Sequence, residues 1–408
     1  VGSGERVEIL RGSGGESVEV LRSVEELPDG VWERLAPAED PMWARGVFTA
    51  LERSRVGPEG YAYLTLRRRG EPVAVLPLCL FRELRLDRIV GPRERRLLDP
   101  VRRLAPRLLR VPMLFCGHLL GQGHVLAAEL LGPRAGRLLV AAVLEFARRE
   151  RLGTVVFKDF AGPDLAPLRE SLSAAGFFPV PSLPDTELDL SAGSFEAYLA
   201  ALPAKPRRNA RAKQRRFAAQ PGLRIEVLTE FEHLLPELLA LYRQVMDRAD
   251  QTLDLLDGAF LAELARGEGL DRRLVVCFEQ ERPVGFLLCL FAGSGAIGAR
   301  IGLDYRIAHE AALYHNLHYA AVRLALERGC RRIRFAQTAY RPKTELGCAL
   351  VEQWYAMTHV RPLPRAVLRR VLPPALATAR AEALAEHSPS RATELTIRQR
   401  MESRHAPC

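Results

Sequence analysis

The chain has 408 residues, 48% of them hydrophobic and 26% charged, with a formal net charge of +10. At roughly 150 residues per domain there is room for two or three domains with full cores. This balance excludes a disordered chain, a collagen-like repeat and a small disulfide scaffold.

Residues 1–16 carry acids and no apolar centre, unlike a signal peptide. Their Gly/Ser content predicts a flexible leader over 1–17. Residues 63–70 (YLTLRRRG) and 71–81 (EPVAVLPLCLF) read as two strands joined by a charged turn. The longest uncharged stretch, 111–128, is broken by Pro112, Gly117, His118, Gly121, Gln122, Gly123 and His124. No run therefore reaches the ~20 apolar residues of a membrane span. A helix with a Gly near its C-terminus and a short strand fill 137–157, a helix with a late Gly follows at 165–176, and an apolar strand at 177–190.

The same order returns further along. LVVCFEQ (274–280) and ERPVGFLLCLF (281–291) repeat the strand pair, and the Gly-rich segment 293–298 reads as a hairpin turn. A helix and strand occupy 317–335, a short helical segment 343–347, and a strand 351–359. The duplication predicts two halves, 18–190 and 191–362, then a helical extension and polar tail over 363–408. Pro373-Pro374 is expected to interrupt that helix, which favours packing on the C-terminal domain over adsorption to a membrane.

Seven cysteines (Cys79, Cys116, Cys277, Cys289, Cys330, Cys348 and Cys408) show no CxxC spacing. An odd number of thiols, several in apolar runs, suits a reducing, cytoplasmic compartment. It supports neither a metal site nor thiol catalysis. Of 59 basic residues only Lys158, Lys205, Lys213 and Lys343 are lysines. Such a skew follows genome base composition, so clustered charge is more informative than total charge. The cluster is KPRRNARAKQRR (205–216), which contains no acid. On a helix Lys205, Arg208, Arg211 and Arg215 share one face. Guanidinium forks grip phosphate bidentately, so this face is predicted to bind phosphate or RNA. A solvated charged helix is the alternative.

The segment resembles the Fem-type aminoacyltransferases and their GNAT-like N-acyltransferase relatives. Thr186, Leu188, Asp189, Leu190 and Ser191, a short helix, then Lys205, Arg208, Asn209, Arg211 and Lys213 carry the likeness. Upstream, VVFKDF (155–160) is similar to that family's strand ending in a basic residue and Asp. Downstream, Gly302, Asp304, the helix 312–327, Gly329, Phe335, Lys343 and Gly347 follow its closing order. The resemblance covers residues 40–360 and implies an α/β (α+β) fold. It would have two tandem GNAT-like domains, each a mixed sheet flanked by helices. It implies transfer of an activated acyl group onto a small-molecule amine of a cell-wall precursor or specialised metabolite. The donor would be aminoacyl-tRNA, or alternatively acyl-CoA or a carrier-protein thioester. No DNA, metal or tightly bound cofactor is expected. The chain departs from the family where Arg208, not Tyr, follows Arg207, and where Tyr340 and Lys343 are separated.

A CoA diphosphate is held by backbone N–H groups of a Gly-rich turn opening a helix. The matching turn, 303–310, has no Gly, and its Asp304 and Glu310 oppose a diphosphate. This favours the tRNA donor. His315 and His318 share a helix face but lack partners at zinc spacing, so His315 is expected to line a pocket. His118 and His124 are expected in a pocket wall. No G-x-S-x-G or H-E-x-x-H motif supports a hydrolase.

Amide formation needs a deprotonated amine, a stabilised oxyanion and aligned substrates. Lys343, in a loop after the strand 332–335, is the candidate contact for the oxyanion or a donor phosphate. Asp304, closing the strand 299–303, is the candidate for orienting or deprotonating the amine, with helix capping as its simpler role. Tyr305, Gln337, Thr338 and Tyr340, with Lys158 and Asp159 at the equivalent strand end of the first half, are the expected substrate contacts. A GNAT pair that binds RNA or another anion without turnover is the remaining alternative.

Overall fold

The computed structural model describes residues 7–85, 103, 109–248, 258–267 and 269–385. The first half contributes β1 (Val7–Arg11), β2 (Glu16–Leu21), α1 (Val31–Leu35), α2 (Arg45–Ser54), β3 (Gly60–Arg68) and β4 (Glu71–Arg85). It continues with β5 (Arg110–Cys116), β6 (Leu126–Ala127), α3 (Pro133–Arg149), β7 (Thr154–Ala161), α4 (Gly162–Leu165) and α5 (Arg169–Ala174). Strands β8 (Phe178–Pro181) and β9 (Asp185–Asp189) end it. The second half opens with α6 (Phe195–Ala201), α7 (Ala204–Ala218), β10 (Leu223–Leu228), α8 (Leu235–Met246) and α9 (Gly258–Arg266). The strands β11 (Asp271–Glu279), β12 (Arg282–Ala292) and β13 (Gly295–Leu303) precede α10 (Tyr305–Ala308) and α11 (Leu313–Glu327). Then come β14 (Arg332–Arg334), α12 (Tyr340–Glu345), β15 (Ala349–Val351), β16 (Gln353–His359) and α13 (Pro362–Ala385).

The expected leader is partly ordered. β1 pairs antiparallel with β2 and buries Ile9, a pattern too short to outweigh the flanking Gly and Ser in the sequence. Helix α3 shows why the longer elements were predictable. Leu139, Val140, Val143, Phe146 and Ala147 recur at helical spacing on its buried side. Pro133 opens its first turn, and Arg148 and Arg149 close its last.

The first sheet runs β1-β2-β3-β4-β5-β7-β16-β8, with β6 added on β4; the second runs β10-β11-β12-β13-β14-β9-β15. From β2 and β10 onward the two orders match strand for strand. Every pairing between matched strands is antiparallel except β5–β7 and β13–β14, which are parallel. The duplication is thus present as two mixed sheets flanked by helices. One feature departs from a simple tandem: the halves exchange their last strands. β16 inserts between β7 and β8, and β9 between β14 and β15. The sequence division at 190/191 therefore does not coincide with the division between sheets.

One face of the first sheet packs on α3, and one face of the second on α6 and α11. A further cluster runs from Met42, Phe81 and Met113 to Phe231, Phe286 and Ile297, joining both sheets through one apolar core. The cysteines of the described residues are all buried free thiols; Cys408 lies outside them. Helix α13 runs unbroken through Pro373-Pro374 and lies on β8 and β16, which belong to the first sheet. Both expectations for this segment are thereby corrected. Leu368, Leu372 and Leu376 anchor it to the shared core, and that packing offsets the hydrogen bonds the prolines cannot make. The predicted polar tail, 386–408, lies outside the described residues. No described helix is long and apolar enough to cross a membrane.

Candidate active site in the second sheet

Parallel strands diverge beyond their shared hydrogen bonds, so each sheet has a gap. The β5–β7 ladder ends at Cys116 and Phe157, and the β13–β14 ladder at Ile297 and Arg334. In the first sheet the loop 117–124 fills the gap. The Gly123 N–H donates to Asp159 O at 2.9 Å, and Gly123 forms a bridge with Phe160. A Cβ at Gly123 would overlap the Lys158 carbonyl and the Phe160 ring, so only glycine fits. Buried His118 stiffens this plug: its Nδ1 accepts the N–H groups of Leu120 (2.8 Å) and Gly121 (2.9 Å), and its Nε2 bonds Met42 O (2.9 Å). Burial pushes its pKa down to about 3. His118 is therefore a neutral loop anchor, not a pocket wall. In the second sheet, among the described residues, no strand or bridge spans the equivalent gap.

The chain leaving β14 borders that gap. Ala336, Thr338 and Ala339 all have left-handed φ, at 57°, 63° and 47°, a region that L side chains rarely adopt. The cost persists because the loop is tied down on several sides. Ala336 O accepts from Thr186 Oγ1 (2.7 Å) and Lys343 Nζ (2.9 Å), and Gln337 O from Lys343 Nζ (2.9 Å). Gln337 Nε2 donates to Leu183 O (2.9 Å) and Gln353 Oε1 (2.8 Å), and Tyr340 Oη to Pro184 O (2.9 Å). Lys343 is thus buried in α12 rather than exposed in a loop, with its ammonium committed to two carbonyls. Burial brings its pKa down to about 8 against the opposing pull of Asp185.

In a trans peptide the N–H points opposite the C=O. Drawing the carbonyls of residues 336 and 337 toward Lys343 turns the N–H groups of Gln337 and Thr338 the other way. The Thr338 N–H faces the Tyr340 hydroxyl. The Gln337 N–H has no acceptor among the described residues. A free N–H beside an open gap can hold a developing negative charge.

Asp304 has the simpler of its two expected roles. It caps α10 by accepting from Arg306 N at 3.1 Å, and the Arg306 guanidinium grips both of its oxygens. These bonds hold its carboxyl below the usual range. A carboxylate so occupied is a poor base, and the Arg282 guanidinium lies 3.4 Å from it as well. Tyr305 stacks under the Arg248 guanidinium at 4.0 Å.

The basic segment forms α7 as predicted. Lys205, Arg208, Arg211 and Arg215 are all exposed, and no described acid lies within ion-pair distance of any of them. Its other side is bolted to the domain. Arg216 donates to His309 O (2.7 Å) and Glu310 O (2.9 Å). Lys213 Nζ donates to Glu345 Oε2 (2.5 Å) and lies 2.7 Å from His315 Nε2. Burial and then Lys213 lower the His315 pKa to about 4, so this neutral ring accepts from Lys213 and joins α7 to α11. Further along α11, His318 packs on Phe335 with ring centroids 4.7 Å apart, which sets the helix beside the gap.

Lys158 and Asp159 pair with each other beside the plug of the first sheet, and Asp159 also accepts from Ser182 Oγ. Asp159 has φ of 56°, like Ala336 just past β14. Sequence reasoning missed the junction around Arg334. That buried guanidinium pairs with Asp40, donates to Gln122 Oε1 (2.6 Å) and lies 3.8 Å from Asp185. His124, another predicted wall residue, sits between Asp40 (3.5 Å) and Asp164 (3.3 Å). No sequence signal marked it: β14 reads Arg-Ile-Arg, and Arg334 alternates with Ile333 just as the half-exposed Arg332 does. A cavity of about 920 Å³ lies between α2 and α9, lined by Trp43, Arg53, Glu263 and Arg266. Its arginines Arg45, Arg53 and Arg266 are already paired with Asp29, Glu25 and Glu263. Among the described residues no cluster of His, Cys, Asp and Glu could hold a metal.

Residues 204–344 match the family model of the acetyltransferase (GNAT) domain, a span running from α7 into α12. A search of curated proteins finds no match. FemX shares 12% identity over 83% of this chain and 96% of its own, with a TM-score of 0.54. The C-terminal domain of a protein described as a lysylphosphatidylglycerol synthetase of Agrobacterium fabrum shares 11% identity, covering 86% and 96%, with a TM-score of 0.52. A tandem GNAT protein from the clavulanic acid biosynthesis pathway shares 13%, covering 85% and 99%, with a TM-score of 0.51. At these identities the likeness is one of fold. The fold is thus that of FemX and of a tandem GNAT protein, and the stretch that matches the GNAT domain model lies in the second half.

Proposed function

We propose that the protein forms an amide by moving an aminoacyl group from aminoacyl-tRNA onto the amine of a small molecule, a cell-wall precursor or specialised metabolite. The observation that carries this reading is the asymmetry of the two gaps. The first is plugged by residues 117–124, while no described strand or bridge crosses the second, which is bordered by the 336–339 loop and by α11, the helix on which α7 packs. Phosphates of the donor would rest on Lys205, Arg208, Arg211 and Arg215. The ester carbonyl would accept from the Gln337 N–H, which stabilises the oxyanion formed when the amine attacks. Collapse of that intermediate breaks the ester bond, and the amine's proton leaves with the tRNA hydroxyl. In this scheme Lys343 and Thr186 are positioning residues that hold the loop, and Asp304 has no part in proton transfer. Thr338 and Tyr340 complete the pocket edge, and Lys158 with Asp159 contacts the acceptor. An aminoacyl-tRNA donor sets the reaction in the cytoplasm.

One observation favours acyl-CoA or a carrier-protein thioester instead. Ala312, at the N-cap of α11, is left-handed at φ 49° with no side-chain cap, so a glycine is not required for an N–H cradle there. An assay of charged tRNA pools against acyl-CoA and carrier thioesters, with and without RNase, separates the readings. RNase-sensitive amide formation supports the first, and thioester-dependent formation the second. Binding without turnover of any donor would leave an anion-binding pair.

A further inference from the structure

Helix α13 presents two apolar stripes, and only one is covered. Leu368, Leu372 and Leu376 face inward onto the shared core. Leu363, Val367 and Val371, each four residues on, face outward and are 80%, 61% and 55% exposed. Pro374, Ala377 and Ala381 continue the outer stripe and are also exposed. A helix of 24 residues is ~36 Å long, so this is an extended ridge rather than one stray side chain.

The charges around the ridge identify its occupant. From Arg361, just before the helix, to Ala381 the chain contains no acid. Arg361, Arg369 and Arg370 are exposed, and no described acid lies within ion-pair distance of them. Arg380, by contrast, is spent on Glu352. In a two-fold contact a second copy would present the same acid-free face, so these arginines would find no carboxylate of that face across the interface. A protein partner is bound through large anchors such as Trp and Tyr, and residues 362–385 contain no aromatic side chain. An apolar ridge bordered by arginines on a helix lying flat on the body is the arrangement of an interfacial membrane helix.

We propose that the outer face of α13 docks the protein reversibly on a membrane surface containing anionic phospholipid. Leu363, Val367 and Val371 would enter the acyl boundary, while Arg361, Arg369 and Arg370 meet the headgroup phosphates. This goes beyond the acyl-transfer reading and does not depend on it. Each arginine near such a surface is worth about fivefold in partitioning at low salt, so losing three should lower it on the order of a hundredfold.

The test is co-sedimentation of the full chain with vesicles of phosphatidylcholine alone or mixed with phosphatidylglycerol, at low and high salt. Binding that needs phosphatidylglycerol and weakens with salt is expected. It should be lost in Leu363→Glu/Val367→Glu/Val371→Glu and in Arg361→Gln/Arg369→Gln/Arg370→Gln, with circular dichroism confirming that both variants remain folded. Arg208→Gln/Arg211→Gln should still bind, which separates this surface from α7. No binding to the mixed vesicles overturns the proposal, as does binding that is lost only in the α7 variant. Light scattering that shows a dimer abolished by Val367→Glu, without vesicle binding, would assign the ridge to a second copy and overturn it equally.

Discussion

Asp40 and Arg334 form a buried ion pair that ties the first half of the chain to β14 in the second. Burial works to raise the Asp40 pKa, but Arg334 and His124 outweigh it and hold that carboxyl well below its usual range. Asp40 also caps its own turn, accepting from Met42 N at 3.1 Å. Replacing Arg334 with Met would leave Asp40 and Asp185 as buried carboxylates without their cation. Breaking a buried pair in this way costs about 3–5 kcal/mol, which urea unfolding would measure. A loss below about 1 kcal/mol would mean water already reaches the junction. The pair also sets an acid limit. A depressed carboxylate adds stability above its unfolded pKa near ~4, and that stability is lost as pH falls through the lower folded value. Asp40→Asn should therefore flatten the acid side of the stability profile.

Lys343 yields a prediction in the alkaline range. Its folded pKa is about 8, whereas an unfolded lysine keeps its proton to ~10.4. Between those values the unfolded state binds more protons, so stability rises with pH by at most ~1.4 kcal/mol per unit. Urea midpoints of the wild type and Lys343→Met, compared across that window, should diverge in the wild type's favour. In the proposed scheme turnover and stability should fall together in the variant, because Lys343 would act through the 336–339 loop. Full stability with lost turnover would restore it to direct contact with substrate.

The exchanged strands make each half dependent on the other. Residues 1–190 alone lack β16, which pairs with both β7 and β8. Residues 191–408 alone lack β9, which pairs with β14 and β15. Expressed singly, each should aggregate or remain unfolded; expressed together, they should co-purify as a complex. A soluble, cooperatively folding single half would contradict the exchange.

The exposed face of α7 should act through charge. Arg208→Gln/Arg211→Gln is expected to weaken RNA binding and lower the log–log salt slope by roughly 0.7 per lost contact. The melting temperature should hardly move, since exposed charges contribute little to stability. Unchanged affinity would leave α7 a solvated helix.

Gly123→Ala tests the plug. Its new Cβ meets the Lys158 carbonyl and the Phe160 ring, and such overpacking typically costs about 1–3 kcal/mol. A neutral effect on the urea midpoint would mean that the 117–124 loop is loose rather than packed.

The duplicated hairpins, the helix–strand units and the cationic face of α7 were readable from the sequence, because each rests on spacing within a few residues. β3–β4 and β11–β12 are joined by turns, and Arg208, Arg211 and Arg215 need only helical geometry to align. The surroundings of Lys343 and Asp304 were not readable. A lone lysine after a strand looks exposed until the fold brings the carbonyls of Ala336 and Gln337 to 2.9 Å from its Nζ. Arg306 likewise occupies Asp304 only once the strand has ended in a capped turn. The final strands show the limit most clearly. β9 and β16 each look like the end of their own half, and the two sheets offer equivalent slots between matching neighbours. Backbone hydrogen bonds are the same in either slot, so the sequence determined that two such strands exist. Which sheet receives each was decided by the tertiary structure, where the shared core and the Asp40–Arg334 junction hold the halves together.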